Sequence, residues 1–574
     1  MINQDLSGMF DEMADMEELE GNRWQSLAYR KVSASIQALG EDITDIYRRG
    51  KLREIDGVGD AIEKKIIQFI EQGRIDKYDD LKKKYPVDFQ TLKKIQGLGP
   101  KKIFVLYSNL GVRNVEDLIK VIEEGKISGL PGFGSKSESN LQKSVKTYLL
   151  SGSRRLFLAD VYDYVFEMRR KLLDSGLFTT VEIVGSCRRM RETVGDIDIL
   201  AVSDRPSESM DLFSGLSEVD AVINRGPSKM TAVLKIGLNC DFRLFPKESI
   251  GAAMQYFTGS KSHNIRLRDI AISKGMKLNE YGLFTGDKQI AGFDEPSVYN
   301  GLGMSWIEPE LRENMGEIEA AISHNLPKLI AYEDLRGDLH CHLAESAGKT
   351  TLDDLVKAAI HNKLEYIAVV IDPGTGDAGA EERKRAISNL LERARKINDS
   401  GSFKIITGIE TEIKRDGKPE DDSDILKEVD LVLGFIHDGI SHDAGENTRR
   451  LLSGIESGMI TGIAHPTGRI IGKQDGFPMD MDRIFQSCSD NGVFLEISGF
   501  PERSDLPFDL VRRARDYRAR FMLGSDSKDT DDLRYLRFAT AIARRGWLEK
   551  EMIINSYPYS RVLREIPRSG RQVC

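Results

Sequence analysis

Two carboxylates separated by one apolar residue stand at Asp196 and Asp198, in the stretch VGSCRRMRETVGDIDIL from Val184 to Leu200. Gly195 precedes the pair and Ile197, Ile199 and Leu200 flank it, a pattern that predicts a β-strand. Residues two apart on a strand share a face. Asp196 and Asp198 therefore point together towards solvent or a cleft, while Ile197 and Ile199 pack the other way. Side-by-side carboxylates repel unless a cation lies between them, and Mg²⁺ takes such hard oxygen ligands together with substrate phosphates. Ser186 and the backbone of Gly185, with Arg188 and Arg189, supply donors for a matching polyphosphate. A lone D-x-D is more often an acidic strand edge, so the neighbouring stretches decide the matter.

Those stretches carry complementary chemistry. TAVLKIGLNCDFRLFP reads as another strand with Asp241 in its middle. A charge inside an apolar strand needs a partner, and a cation shared with Asp196 and Asp198 supplies one. In MQYFTGSKSHNIRLRDIAISKGMKL, an aromatic turn (Tyr256, Phe257, Gly259) precedes a basic amphipathic helix bearing Asn264, Arg266 and Arg268. Aromatic rings beside polar groups suit stacking on a nucleoside. Upstream, a glycine–apolar–glycine turn recurs as Gly57-Val58-Gly59, Gly97-Leu98-Gly99 and Gly132-Phe133-Gly134, each between helical patterns. Glycines permit the tight turn, and backbone N–H groups opening the next helix bind phosphate. The unit resembles the helix-hairpin-helix element, and its repetition points to a grip on a DNA backbone.

From about residue 334 the texture changes. Strand-like runs (EYIAVVI, FKIITGIE, VDLVLGFIH, ITGIAHP, VFLEISG, RFMLGSD) alternate with helical ones such as LDDLVKAAIHN and PFDLVRRARDYR. Such alternation predicts an α/β barrel-like domain with parallel strands, whose strand ends carry the chemistry. His340 and His342 in DLHCH, Glu410, His437, His465 and Asp526 all fall at strand ends. By type they are ligands for Zn²⁺ or Mn²⁺.

The bulk properties bound these readings. A chain of 574 residues, 40% hydrophobic and 30% charged, suits several soluble domains. The formal net charge of −9 argues against a protein that simply coats nucleic acid, but leaves room for local basic surfaces. Five scattered cysteines (187, 240, 341, 488, 574) form no CxxC pair, which points to a reducing cytoplasm. The start MINQDLSGMF lacks a signal-peptide pattern, and no apolar run is long enough to span a membrane.

With these motifs in place, the chain to about residue 315 resembles the family X DNA polymerases. The order GS(x)9-DxD, the DFR aspartate, YFTGS followed by an asparagine, and hairpin turns upstream carry the resemblance. It implies a multidomain fold: a helical N-terminal domain (1–85), a fingers-like helical domain (86–150), an α/β nucleotidyltransferase palm (151–247), a thumb (248–315) and a linker (316–333). It further implies that Asp196, Asp198 and Asp241 hold catalytic Mg²⁺ or Mn²⁺. Arg155, Gly185, Ser186, Arg189, Tyr256, Phe257, Gly259 and Asn264 would bind the incoming deoxynucleoside triphosphate. The hairpin glycines 57, 59, 97, 99, 132 and 134, with Arg268, would contact gapped or primed duplex DNA. Lys65 falls at the position of the family's 5′-deoxyribose-phosphate lyase lysine, although neighbouring basic positions do not all match.

Residues 334–574 resemble the PHP domain (polymerase and histidinol phosphatase), a distorted (β/α) barrel fused to family X polymerases in many bacteria and archaea. There it forms a polynuclear metal site acting as a 3′→5′ exonuclease. By that resemblance His340, His342, Glu410 and Asp526 complete one site, and Glu410, His437 and His465 a second. Several positions depart from the pattern: Ser346-Ala347-Gly348, Val370-Ile371-Asp372, Ser498 and Asp526-Ser527-Lys528. A third metal loses its ligands unless Asp372 substitutes, and Lys528 would bring an ammonium there. Weak nuclease and inactive structural domain both stay open. The expected function is a monomeric, cytoplasmic repair polymerase that fills short gaps. The alternatives are a phosphoesterase whose first half positions DNA, and a non-catalytic DNA-binding scaffold.

Overall fold

The computed structural model describes residues 2–37, 39, 43–93, 95, 97–134, 137–138, 140–142, 144–145, 155–343, 350–372, 380–401, 403–421 and 423–566. The Ser346-Ala347-Gly348 departure and Cys574 lie outside the described residues. Two compact units emerge, one of residues 1–156, 163–189 and 193–325, the other of 157–162, 190–192 and 326–574. The break at Asn325–Leu326 falls inside the segment read as a linker, which itself holds the helix Glu317–Ile322. Among the described residues no helix is long and apolar enough to cross a membrane.

The first unit begins as helices, including Ile2–Leu19, Arg23–Gln37, Asp60–Gln72 and Pro100–Leu110. Leu6, Phe10, Val32, Ile66, Phe89 and Leu106 fill their shared core. A five-stranded sheet follows, in the spatial order Thr180–Val184, Asp196–Val202, Asn239–Leu244, Lys229–Leu234, Val219–Arg225. The Asp196–Val202 strand pairs antiparallel with the first of these and parallel with Asn239–Leu244. The stretch TAVLKIGLNCDFRLFP is not one strand but a hairpin. Gly237 turns it at φ +85°, and Leu234 donates its N–H to the Leu238 carbonyl. Alternation alone cannot register such a reversal, because both arms keep the same two-residue period. The helices Ile250–Thr258 and Lys261–Ser273 and a three-stranded antiparallel sheet over Lys277–Ala291 complete the unit's C-terminal part.

The second unit is built on seven parallel strands in sequential order: Gly337–Cys341, Tyr366–Ile371, Lys404–Glu412, Leu431–Phe435, Gly462–Ile463, Phe494–Ser498 and Phe521–Gly524. The expected strand runs fall on six of them. A parallel bridge between Cys341 and Ser527 joins the first edge to the last, nearly closing a barrel. Tyr366, Ala368, Val370, Leu431, Leu433, Phe494 and Met522 fill one face. Ile367, Val369, Val432, Leu495 and Leu523 pack on the other, against helices such as Leu352–His361 and Phe508–Asp516. Strands buried on both faces read as continuous apolar runs, which is why they stood out in the sequence. Two-residue periodicity puts Glu496 on the face of Phe494, and Glu410 on that of Ile406.

Candidate functional site

In the first unit, register brings the three carboxylates together. Asp198 lies directly opposite Asp241 across the parallel strands, and Asp196 sits two residues earlier. Ile197 and Ile199 are buried on the opposite face, as the pattern predicted. The surroundings shift the three carboxylates differently. Burial, then the charges of Asp196 and Asp241, push Asp198 up to about 7. Asp196 is raised by burial, with Arg155 and Arg189 opposing. Burial also acts on Asp241, but is outweighed by the Thr231 hydroxyl (2.6 Å), Lys229 (3.1 Å) and Arg243 (2.7 Å), so its carboxyl is held below the usual range. A carboxylate whose proton affinity is raised to about 7 by burial and two neighbouring acids fits a place for a divalent cation.

The phosphate side is equally organised. Gly185 opens the short helix Gly185–Arg188 at φ +68°, and a Cβ there would lie 2.8 Å from Asp198 Oδ2. Only glycine admits both the backbone turn and the carboxylate. Ser186 lies in the same turn. Arg189 donates to the Thr258 carbonyl and pairs with Glu313 at 3.2 Å. Arg188 is turned elsewhere, in a bidentate pair with Glu295 at 2.7 and 2.8 Å that Arg312 shares. Arg155 binds the Thr193 hydroxyl and carbonyl beside Gly195. Tyr256 and Phe257 occupy the last turn of the helix Ile250–Thr258, with rings 5.1 Å apart, rather than a loop. Gly259 follows at φ +67°, against Arg189. Asn264 donates to the Tyr256 carbonyl and accepts from Gln255, so its amide is fixed. Arg268 is exposed, one helical turn on.

The hairpin glycines divide the work as their spacing implied. Gly57, Gly97 and Gly132 take φ of +87°, +91° and +80°. Gly59 and Gly99 are the extended residues that open the helices Asp60–Gln72 and Pro100–Leu110. Nothing lies within 4 Å of a Cβ placed at Gly59, Gly99 or Gly134, so the backbone there is open to a ligand. At the second turn a cleft of about 550 Å³ is lined by Gly97, Gly99, Lys93, Lys101 and Lys102. Lys65 donates to the Ala61 carbonyl and lies over the Tyr29 ring. Burial, then Lys77, lower its affinity for a proton. Trp24, 88% exposed on the helix Arg23–Gln37, escaped the sequence reading, because a single aromatic in an amphipathic helix looks like core.

In the second unit the strand ends converge. His340, His342 and Asp526 are buried with ligand atoms all within 4.8 Å of one another. His340 Nε2 lies 3.4 Å from Glu410 Oε1, and neither atom has a hydrogen-bond partner. His342 Nε2 is 3.2 Å from Asp526, and His465 Nε2 is 3.7 and 3.8 Å from Glu410 and Asp526. Buried, unpartnered imidazole and carboxylate atoms aimed at one point fit a Zn²⁺- or Mn²⁺-type cation. His465 and Asp526 both sit at positive φ, +46° and +53°, a backbone cost that persists only where surrounding contacts enforce it. His437 does not join them. Its ring is exposed and faces Asp438, while its N–H is held by Glu412. Lys528 lies over the Phe500 ring and Asp372 is exposed. Glu496 was missed. It is fully buried between His340 and His465, and the signal that found Asp241, a charge inside an apolar strand, is present in VFLEISG.

Comparison with known proteins agrees with this geometry. Family profiles match a helix-hairpin-helix domain over residues 1–75, a SAM-like helix-hairpin-helix tandem over 89–147 and a DNA polymerase beta thumb over 253–313. A Bacillus subtilis protein named DNA polymerase/3'-5' exonuclease PolX is 29% identical over 570 residues, covering 97% of this chain and 98% of its own. DNA polymerase lambda from Rattus norvegicus is 24% identical over 343 residues, 54% of this chain and 56% of its own. That from Arabidopsis thaliana is 24% identical over 350 residues, 54% of this chain and 62% of its own.

Proposed function

We propose that this chain, which belongs to the family X DNA polymerases, extends a primer 3′ end in short gaps of duplex DNA, using deoxynucleoside triphosphates. The observation that carries the reading is the register of Asp198 against Asp241 with Asp196 beside them, next to a glycine-opened turn and Arg189. The reaction is in-line attack of the primer oxygen on the α-phosphorus, with pyrophosphate leaving. When bound, a pair of Mg²⁺ or Mn²⁺ ions supplies charge neutralisation for the attacking and leaving oxygens. The protein's own part is positioning. Arg155, Ser186 and Arg189 hold the triphosphate, while Tyr256, Phe257 and the fixed Asn264 amide bound the nucleoside. Asp241, kept ionised by Lys229 and Arg243, is suited to favour loss of the primer hydroxyl's proton. The hairpin backbones and Arg268 hold the DNA, and one chain carries every part, so we read it as a cytoplasmic monomer.

The buried cluster around His340 favours a second activity, hydrolysis of phosphodiesters from the primer 3′ end. A 5′-labelled primer on gapped DNA tests both. With nucleotides, wild type extends it and Asp241→Ala loses at least about a thousandfold in rate. With Mn²⁺ and no nucleotides, wild type shortens it, and His340→Ala and Asp526→Ala do not. No shortening by wild type alongside normal extension would reduce the second unit to a structural or DNA-positioning role.

A further inference from the structure

We infer that Glu496 is the positioning residue of the second unit's metal cluster: it fixes which ring nitrogen of His340 faces the cation and, through the same carboxylate, the backbone that presents His465. The inference rests on the metal reading of the cluster given above. Glu496 is fully buried on the strand Phe494–Ser498. Its Oε1 accepts from His340 Nδ1 at 2.5 Å, and its Oε2 accepts the His465 backbone N–H at 2.9 Å, with His465 Nδ1 a further 3.5 Å away. A carboxylate offers only acceptors, so the His340 nitrogen facing it carries the proton. That leaves Nε2 as the coordinating atom. It is the atom found without a partner, 3.4 Å from an equally unpartnered Glu410 oxygen. His342 follows the same rule by another route, its Nδ1 being 3.1 Å from the Val370 carbonyl.

The neighbouring chain is shaped to admit this carboxylate. A Cβ at Gly524 would lie 2.9 Å from Glu496 Oε1 and 2.4 Å from the His340 Cβ, so the barrel's last strand needs a glycine there. His465 holds φ +46°, and the Glu496 bond to its N–H is a contact that keeps an L-residue in that region. Asp505 secures the other end of the same loop, accepting the N–H groups of Thr467 and Gly468. Loop and strand thus meet at one carboxylate that touches no reacting atom.

Glu496→Gln separates positioning from packing, because the amide keeps the volume and one acceptor. The His465 N–H can only donate, so the amide oxygen must serve it and the NH₂ group must face His340 Nδ1. His340 then carries its proton on Nε2, the edge that has to bind the metal. The opposite amide orientation sets two donors against each other at His465. The full chain is titrated with Zn²⁺ alone against a chromophoric chelator, with primer extension and the melting temperature as controls. Expected are tight binding by wild type and about 10–100-fold weaker binding by Glu496→Gln, with extension unchanged. Equal affinity in the two proteins would overturn the inference. If wild type binds neither Zn²⁺ nor Mn²⁺, the metal reading itself falls, and this inference with it. A second measurement needs no variant. In the Zn²⁺-loaded wild type, long-range ¹⁵N spectra of the eight histidines should show a metal-bound Nε2 and a protonated Nδ1 for His340. Coordination through Nδ1 would refute the assignment.

Discussion

Asp198→Asn should stabilise the metal-free protein, and by more as the pH rises. The native carboxyl titrates at about 7, against about 3.9 in an unfolded chain. The native state therefore binds the proton more tightly, and folding stability falls as pH climbs from about 4 through about 7. At roughly 1.36 kcal/mol per pKa unit, the cost to wild type is about 2 kcal/mol at about pH 5.5 and about 4 kcal/mol at about pH 8. Asparagine removes the titration while keeping the shape. The stability gap between variant and wild type should widen by about 2 kcal/mol over that interval, trimmed to about 1–2 kcal/mol by solvent on the site's open side. For a cooperative unit of this size that is a widening of about 1.5–3 °C in melting temperature. Thermal melts of both proteins in chelator at the two pH values read it directly. Adding Mg²⁺ should then raise the wild type more than the variant, because the cation does for the ionised carboxylates what the proton did. A gap that stays constant or narrows with rising pH would refute the idea that crowding and burial of Asp198 set its charge state.

Other substitutions probe the remaining contacts. Gly185→Ala puts a methyl 2.8 Å from Asp198 Oδ2 at φ +68°, costing about 1–2 kcal/mol in stability, and about 100-fold in primer extension through the displaced carboxylate. Glu313→Gln frees the Arg189 guanidinium from a charged competitor at 3.2 Å, and steady-state extension should show a several-fold lower nucleotide KM with kcat within about twofold. His437→Ala removes an exposed ring that faces Asp438, so equilibrium dialysis with Zn²⁺ should show the His340 cluster still loaded and unfolding shifted by less than about 0.5 kcal/mol. Lys65, with its proton affinity lowered by burial and Lys77, should be the lysine trapped by borohydride on a 5′-deoxyribose-phosphate end, and Lys65→Ala should abolish that adduct.

The sequence was most legible where a residue's role follows from its own type and the period of its element. Asp196 and Asp198 two apart on a strand, the hairpin glycines that need positive φ, and the apolar runs of a sheet buried on both faces all announce themselves locally. What stayed hidden depends on register between distant segments. Nothing in Arg188 and Arg189 says that one pairs with Glu295 and the other with Glu313 beside the phosphate turn, because that choice is made by residues about a hundred positions away. The hairpin at Gly237 was invisible to alternation, yet it creates the Thr231 and Lys229 contacts that hold Asp241 below the usual carboxylate range while burial raises Asp196 and Asp198. Glu496 shows the limit of a rule applied unevenly. An acidic residue inside an apolar strand was taken as a sign of a partner at Asp241, and the same physics holds for VFLEISG. The distinction between the two is the partner: cations surround Asp241, whereas Glu496 is enclosed by imidazoles and a backbone N–H. The two carboxylates are therefore read differently: Glu496, whose neighbours are themselves candidate ligands, is inferred to orient them, and Asp241 is proposed to share a metal with Asp196 and Asp198.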